Sequence, residues 1–154
     1  MVLQKLNYDR GLLIQFVDTA HATPNGPRIL LARAEAMRVV GDIVSAVRVT
    51  DEAWRISQAR QMNLVMADAL IMRGRLALNE TTVVGSESLR LHTALDDADA
   101  AMRIARTASY LWAERSAAGL LSTIFLRLGA AERSKEYSEL AAALVPIETA
   151  DKLT

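Results

Sequence analysis

The sequence predicts an all-α fold, and three features of its composition favour this class. Proline occurs only at positions 24, 27 and 146, so residues 28–145 can form helices without interruption. Strong helix formers, alanine above all, dominate that stretch. Aromatic residues make up 5% of the chain, too few for a typical sandwich or barrel, whose strands favour aromatic and β-branched side chains. At 154 residues the chain is long enough for one domain with a substantial core.

Apolar side chains recur at helical spacing in seven segments of the sequence. The first segment ends at a break with two prolines and an Asn-Gly pair. Gly41 and Gly129 follow the second and sixth segments, as expected where a helix stops. A polar insertion at 79–88 separates the fourth segment from the fifth. The segments cover 3–20, 28–40, 43–59, 63–78, 88–108, 111–128 and 131–144.

The later segments repeat one another at a fixed offset, which is typical of stacked helix pairs. Arg55 and Ile56 recur 48 positions later as Arg103 and Ile104. Small residues also recur where the two helices of a pair must approach closely, since a larger side chain would separate their axes beyond about 8–10 Å. They are Ala34, Gly74 and Ser122 on the first helix of each pair, and Ala46, Ala94 and Ser134 on the second, with Ala53, Ala101 and Ala141 seven residues later.

This order of small residues and turn glycines resembles the tetratricopeptide repeat (TPR). The repeats are longer than the usual length of about 34 residues, and such lengthened repeats look like the sensor tails of bacterial signal-transduction ATPases and ATP-dependent transcription activators. The stretches 67–78 and 101–115 carry this likeness. The resemblance implies a right-handed superhelix. Its parts are a capping helix and loop at 1–27, three repeats at 28–59, 63–108 (with the insertion at 79–88) and 111–145, and a tail at 147–154.

The resemblance also implies a sensor scaffold that binds another protein or peptide on a concave surface lined by the first helices. The register carried over from the repeat places on that surface the charged residues Arg28, Glu35, Arg38, Asp68, Arg75 and Arg127, beside Leu31, Ile71, Leu78, Ser116 and Thr123. Whether the charged members recognise a partner or only meet solvent stays open. The Lys and Asn set of the chaperone-binding subclass is missing, so we do not expect that subclass. The alternative function is a self-assembling module, joined through the first helix or the 79–88 insertion.

Charge and composition argue against several other partners and locations. The chain has 18 basic and 18 acidic residues, so it lacks the positive field that direct nucleic-acid binding draws on. Its 15 arginines either cover solvated helix faces or form a local phosphate-binding stripe. It contains no cysteine, no run of about 18 apolar residues and no recognisable signal peptide. We therefore expect a cytoplasmic protein without a membrane partner.

No motif in the sequence predicts catalysis, a cofactor or a metal site. There is no glycine-rich phosphate loop, and His21 and His92 lie far apart. The acidic residues 96, 97 and 99 are expected to be a solvated helix start, where negative charge is favourable to the helix dipole, rather than a catalytic pair. Glu114 and Arg115 beside Trp112 are candidates for part of a ligand patch. Trp112 aligns with Leu64 of the preceding repeat, however, so we expect it to pack in the core or at its edge, and we expect Trp54 to be a packing residue as well. These observations predict a protein that is not an enzyme.

Overall fold

The computed structural model describes residues 22–79 and 87–144, and within them it contains six helices and no strand, which confirms the all-α class. The helices are α1 (Gly26–Val39), α2 (Ile43–Ala59), α3 (Asn63–Asn79), α4 (Glu87–Thr107), α5 (Leu111–Arg127) and α6 (Ala131–Ala143). These bounds agree with those predicted from the sequence to within two residues. The helix predicted over 3–20, residues 80–86 of the insertion and the tail at 147–154 lie outside the described residues.

Each helix packs against the next one along the chain, so that α1 pairs with α2, α3 with α4, and α5 with α6. The first helices of these pairs also meet one another, because α3 packs against both α1 and α5. The three first helices therefore form one continuous layer, which carries the groove described below.

The core consists of two clusters that share α3. Val65, Ala69 and Leu76 of this helix pack with the apolar side chains of α1 and α2. Leu70 and Ile71 pack instead with those of α4 and α5. Burying apolar side chains in both directions makes α3 the central helix of the stack.

Four of the turns between helices have the same geometry, although only two of them contain the glycine that the sequence analysis singled out. Gly41 and Gly129 have φ values of +86° and +77°. Gln61 and Ser109 adopt the same left-handed conformation after α2 and α4, with φ values of +53° and +52°. In each turn the next residue donates its N–H to a carbonyl five positions back, over 2.8–2.9 Å, which is the bond of a Schellman motif. The hydrogen bonds of this motif outweigh the modest energetic cost of a left-handed backbone conformation at Gln61 and Ser109.

The small residues that the sequence analysis singled out lie at tight contacts between helices. The fully buried ones are Ala34, Ala46, Ala53, Ala94 and Ala101, while Ala141 is partly buried. A Cβ atom on Gly74 would lie only 2.6 Å from Cδ2 of Leu120, so α3 and α5 approach closely there. Between α5 and α6, Oγ of Ser122 donates to the carbonyl of Ser134 at 2.9 Å.

Candidate functional site

A groove runs across the layer of first helices and has two adjoining halves, of about 390 Å³ and about 510 Å³. Arg75 and Trp112 line both halves and join them into one surface. The smaller half is completed by Arg28, Leu31, Glu35, Asp68, Ile71 and Met72. The larger half is completed by Leu78, Arg115, Ser116, Gly119, Leu120, Thr123 and Ala141.

The charged residues proposed from the sequence do not all reach this groove. Arg28, Glu35, Asp68 and Arg75 line it. Arg38 lies one helical turn after Glu35 and clamps its carboxylate, with Nε and Nη2 at 2.8 and 2.7 Å from the two oxygens.

The last of the proposed residues, Arg127, has a different contact. Its Nη1 donates to the carbonyl of Leu78 at 2.9 Å, near the carboxyl end of α3. A cation is favourable there because the last carbonyls of a helix lack partners within the helix. Arg127 therefore connects α5 to the end of α3.

The expectation that Trp112 packs in the core is wrong. Its side chain is 52% exposed, and it lines both halves of the groove. The alignment with Leu64 is not the source of the error, because Leu64 is itself 38% exposed. Both residues lie in the first turn of a first helix, where a large apolar side chain is exposed and does not belong to the core. Trp54, in contrast, is partly buried and packs against both core clusters.

Asp68 is a partly buried polar group of the groove, and its carboxylate is only partly hydrogen-bonded. Its Oδ2 accepts a long hydrogen bond of 3.4 Å from the hydroxyl of Tyr110, while its buried Oδ1 has no hydrogen-bond partner among the described residues. Burial raises the pKa of Asp68 to about 6, although the Arg28 charge, the Tyr110 hydrogen bond and the Arg75 charge each act to lower it. Burial and the neighbouring Asp68 likewise raise the pKa of Tyr110.

The other charged groups of the groove differ in whether they already have partners. The hydrogen bond from Arg38 holds the pKa of Glu35 below its usual value, as expected for an ion pair. Arg75 and Arg115 form no ion pair or hydrogen bond within the described part of the chain. Both guanidinium groups therefore keep their donors available for an anion.

The sequence offers Trp112 and Arg115 as part of a ligand patch, although the alignment with Leu64 favours packing for Trp112. Trp112 and Arg115 belong to the stretch that carried the family resemblance, and Arg115 lies three residues after Trp112 on the same helical face. Nothing in the sequence indicated that Tyr110, which precedes α5, would reach Asp68 of α3, because that contact joins residues 42 positions apart.

The arrangement provides an apolar floor with an aromatic side chain and unpaired cations, and it is suited to hold an anionic group next to an apolar one. Among residues 22–79 and 87–144, no three His, Asp or Glu side chains come together as a candidate metal site. None of the described helices combines the length and apolar character needed to cross a membrane.

No protein-family model, curated protein or solved structure matches the chain.

Proposed function

We propose that this protein is a non-catalytic binding module that holds a segment of another protein in the groove along α1, α3 and α5. The observation that carries this proposal is the half-exposed Trp112 next to Arg75 and Arg115, two arginines without an ion pair in the described part of the chain. Trp and Arg are the residue types that most often dominate the energetics of protein interfaces. A stack of helix pairs with a continuous layer of first helices is also the usual platform for such binding.

A site-specific photocrosslink tests this proposal directly. Ser116 lines the groove and Gln58 is an exposed residue of α2 outside it, so the two positions form a matched pair. Each is replaced by benzoylphenylalanine, and the variants are irradiated in cells of the source organism. We expect a discrete protein adduct from position 116 and none from position 58. Equal labelling at both positions, or none at either, would contradict the proposal.

The resemblance to sensor tails supports a more specific role for this module. On that basis we propose that it is the regulatory part of a larger cytoplasmic signalling protein, and that the helix pairs continue as a right-handed TPR-like superhelix. In this role the groove would receive the signal, and the chemistry would lie in another domain.

Self-assembly is the second candidate function, and one observation favours it. Val39, Val40 and Val44, at the turn between α1 and α2, are 70, 79 and 67% exposed. An exposed apolar cluster of this kind is typical of an interface. Light scattering over a hundredfold concentration range tests this alternative. A constant mass near 16.8 kDa would reject it, whereas a dimer that Val40→Glu converts to monomer would establish it.

A further inference from the structure

We propose that the groove binds an acidic peptide that also carries an apolar side chain, and that Asp68 takes up a proton when this peptide binds. This inference rests on the proposed function and adds to it the chemical class of the partner and a dependence on pH.

The shape of the groove indicates an extended segment rather than a small molecule. The groove is open along its length and crosses three neighbouring helices, whose axes in such a layer lie about 8–10 Å apart. The distance from α1 to α5 is then roughly 16–20 Å, which about five or six residues of extended chain would span. The two halves adjoin at Arg75 and Trp112, which line both of them.

The charges in the larger half select an acidic partner. Arg75 and Arg115 are its charged lining residues, and no carboxylate lines it. Ser116 and Thr123 add hydroxyl groups along the same wall, and a Cβ atom on Gly119 would meet nothing within 4 Å, so the floor there is open. Two guanidinium groups over an open floor match a carboxylate of the peptide.

The smaller half selects the apolar part of the peptide. Leu31, Ile71 and Met72 form its apolar lining, and the exposed ring of Trp112 closes it on the side of α5. An aliphatic or aromatic side chain seated there would remove both its own surface and that of Trp112 from water, which is favourable by roughly 25 cal/mol per Å² of apolar area.

Asp68 opposes an acidic peptide as long as it is ionised, because it lies on the wall of the same groove. The peptide would cover it, remove the remaining water and bring a second negative charge close. Its buried Oδ1 has no donor to compensate for that loss. A protonated Asp68 avoids both penalties, and its O–H can donate to a peptide carbonyl or carboxylate.

The charged and titratable groups around Asp68 come from α1, from α3 and from the residue that precedes α5. The charges of Arg28 on α1 and of Arg75 on its own helix act on Asp68, and the hydroxyl of Tyr110, which precedes α5, donates a hydrogen bond to it. Glu35 lines the same half but is held ionised by Arg38. Burial brings the pKa of Asp68 to about 6, and burial also raises the pKa of the Tyr110 hydroxyl.

The experiment measures affinity for defined polymers by fluorescence anisotropy. The probes are labelled random copolymers of glutamate with tyrosine, polyglutamate, and a copolymer of lysine with tyrosine, each titrated with wild type and with Asp68→Asn from pH 5.5 to 7.5. The pKa of about 4.3 for a free glutamate side chain keeps most of these carboxyls ionised in this range, and polyglutamate alone serves as the control for any titration of the polymer. Calorimetry in two buffers with different ionisation enthalpies then counts the protons taken up on binding.

We expect the glutamate–tyrosine copolymer to bind most tightly. Its affinity for wild type should fall by up to about tenfold per pH unit above pH 6, which is the limit for one proton. Asp68→Asn should bind it with the same affinity at every pH, at least as tightly as wild type at pH 7.5. Proton uptake by wild type at pH 7 should approach one per bound segment and should be absent in the variant.

The outcomes separate the inference from the proposed function. Binding of the acidic copolymer without pH dependence and without proton uptake would overturn the role of Asp68. Equal binding of the lysine copolymer, or no binding of any probe, would overturn the acidic ligand class. The proposed function is judged separately by the crosslink from position 116, which needs no assumption about the ligand.

Discussion

Arg73 and Arg75 lie two residues apart on α3, and the helix directs them to opposite environments. Arg73 is ion-paired twice, through Nε at 3.3 Å from Asp97 and 3.6 Å from Asp51, and its guanidinium lies 4.9 Å from the ring centre of Trp54. Arg75 lines the groove and forms no ion pair in the described part of the chain. Arg73 therefore connects α2, α3 and α4, whereas the guanidinium group of Arg75 is available to a ligand in the groove.

Two partly buried carboxylates, those of Asp68 and Asp97, extend the same contrast. For Asp97 the expectation of a solvated position is wrong, because its side chain is only 13% exposed and is paired with Arg73 of the neighbouring helix. Burial raises the pKa of both Asp68 and Asp97 to about 6. For Asp97 the Arg73 charge counteracts this, while Asp51 and Asp96 add to it. Asp68 has no ion pair and one unpartnered oxygen. The two carboxyls therefore differ in their partners rather than in their pKa. Asp97 has an ion pair with Arg73 on the face away from the groove, whereas Asp68 keeps an unpartnered oxygen on the groove face, as expected where a ligand completes the site.

The largest expected effect comes from removing the paired arginine. Arg73→Ala leaves the carboxylate of Asp97, which is 13% exposed, without its counter-charge, and also removes the contact with Trp54. We expect the free energy of unfolding at pH 7 to fall by about 2 kcal/mol, because a buried charge without a partner is strongly unfavourable. Urea denaturation followed by circular dichroism measures this change.

Arg75→Ala is the matched control for that prediction, since it removes the same side chain from the same helix. It should change the stability by no more than about 0.5 kcal/mol while weakening the binding of the acidic copolymer. A loss of stability in Arg75→Ala as large as that in Arg73→Ala would show that both arginines are structural, and the contrast between the two faces would not hold.

A smaller effect is expected in the dependence of stability on pH. The pKa of Asp68 is higher in the folded protein than the value of about 3.9 in an unfolded chain. The folded state therefore holds this proton more tightly. Its contribution to stability is present below about pH 4 and is lost as the pH rises through about 6. After allowance for solvent screening we expect a loss of about 1 kcal/mol.

The measurement compares wild type with Asp68→Asn by urea denaturation at pH 4, 5, 6 and 7. The difference in unfolding free energy, wild type minus variant, should decrease as the pH rises. Asp97→Asn should show the same sign, because burial also raises the pKa of Asp97. A difference that stays flat or increases for Asp68→Asn would show that the folded protein does not raise the pKa of this carboxyl.

The fold class and the helix bounds could be predicted because they depend on local properties. The absence of proline between 28 and 145, the helical spacing of apolar residues and Gly41 and Gly129 are all visible along the chain. The turns at Gln61 and Ser109 carry no such marker, and only the hydrogen bonds of the folded turn identify them.

The candidate site was only partly predictable, because it depends on contacts between distant residues. The register placed Arg28, Asp68 and Arg75 on one surface, and the groove includes all three. It could not show that Arg127 is engaged with Leu78 or that Trp112 is exposed. The type and size of a side chain do not reveal whether a neighbouring helix covers it. An exposed Trp and a buried one therefore look alike in a single sequence.

The position of α3 in both core clusters has a consequence for how the molecule unfolds. In a simple array each repeat is stabilised by its neighbours alone, so the ends can melt before the middle. Here the apolar side chains that complete the first helix pair and those that complete the later pairs belong to one helix. If α3 unwinds, both core clusters lose the side chains that this helix contributes. The described helices should therefore melt in a single transition, and a segment bound along α3 would raise the melting temperature of the whole stack.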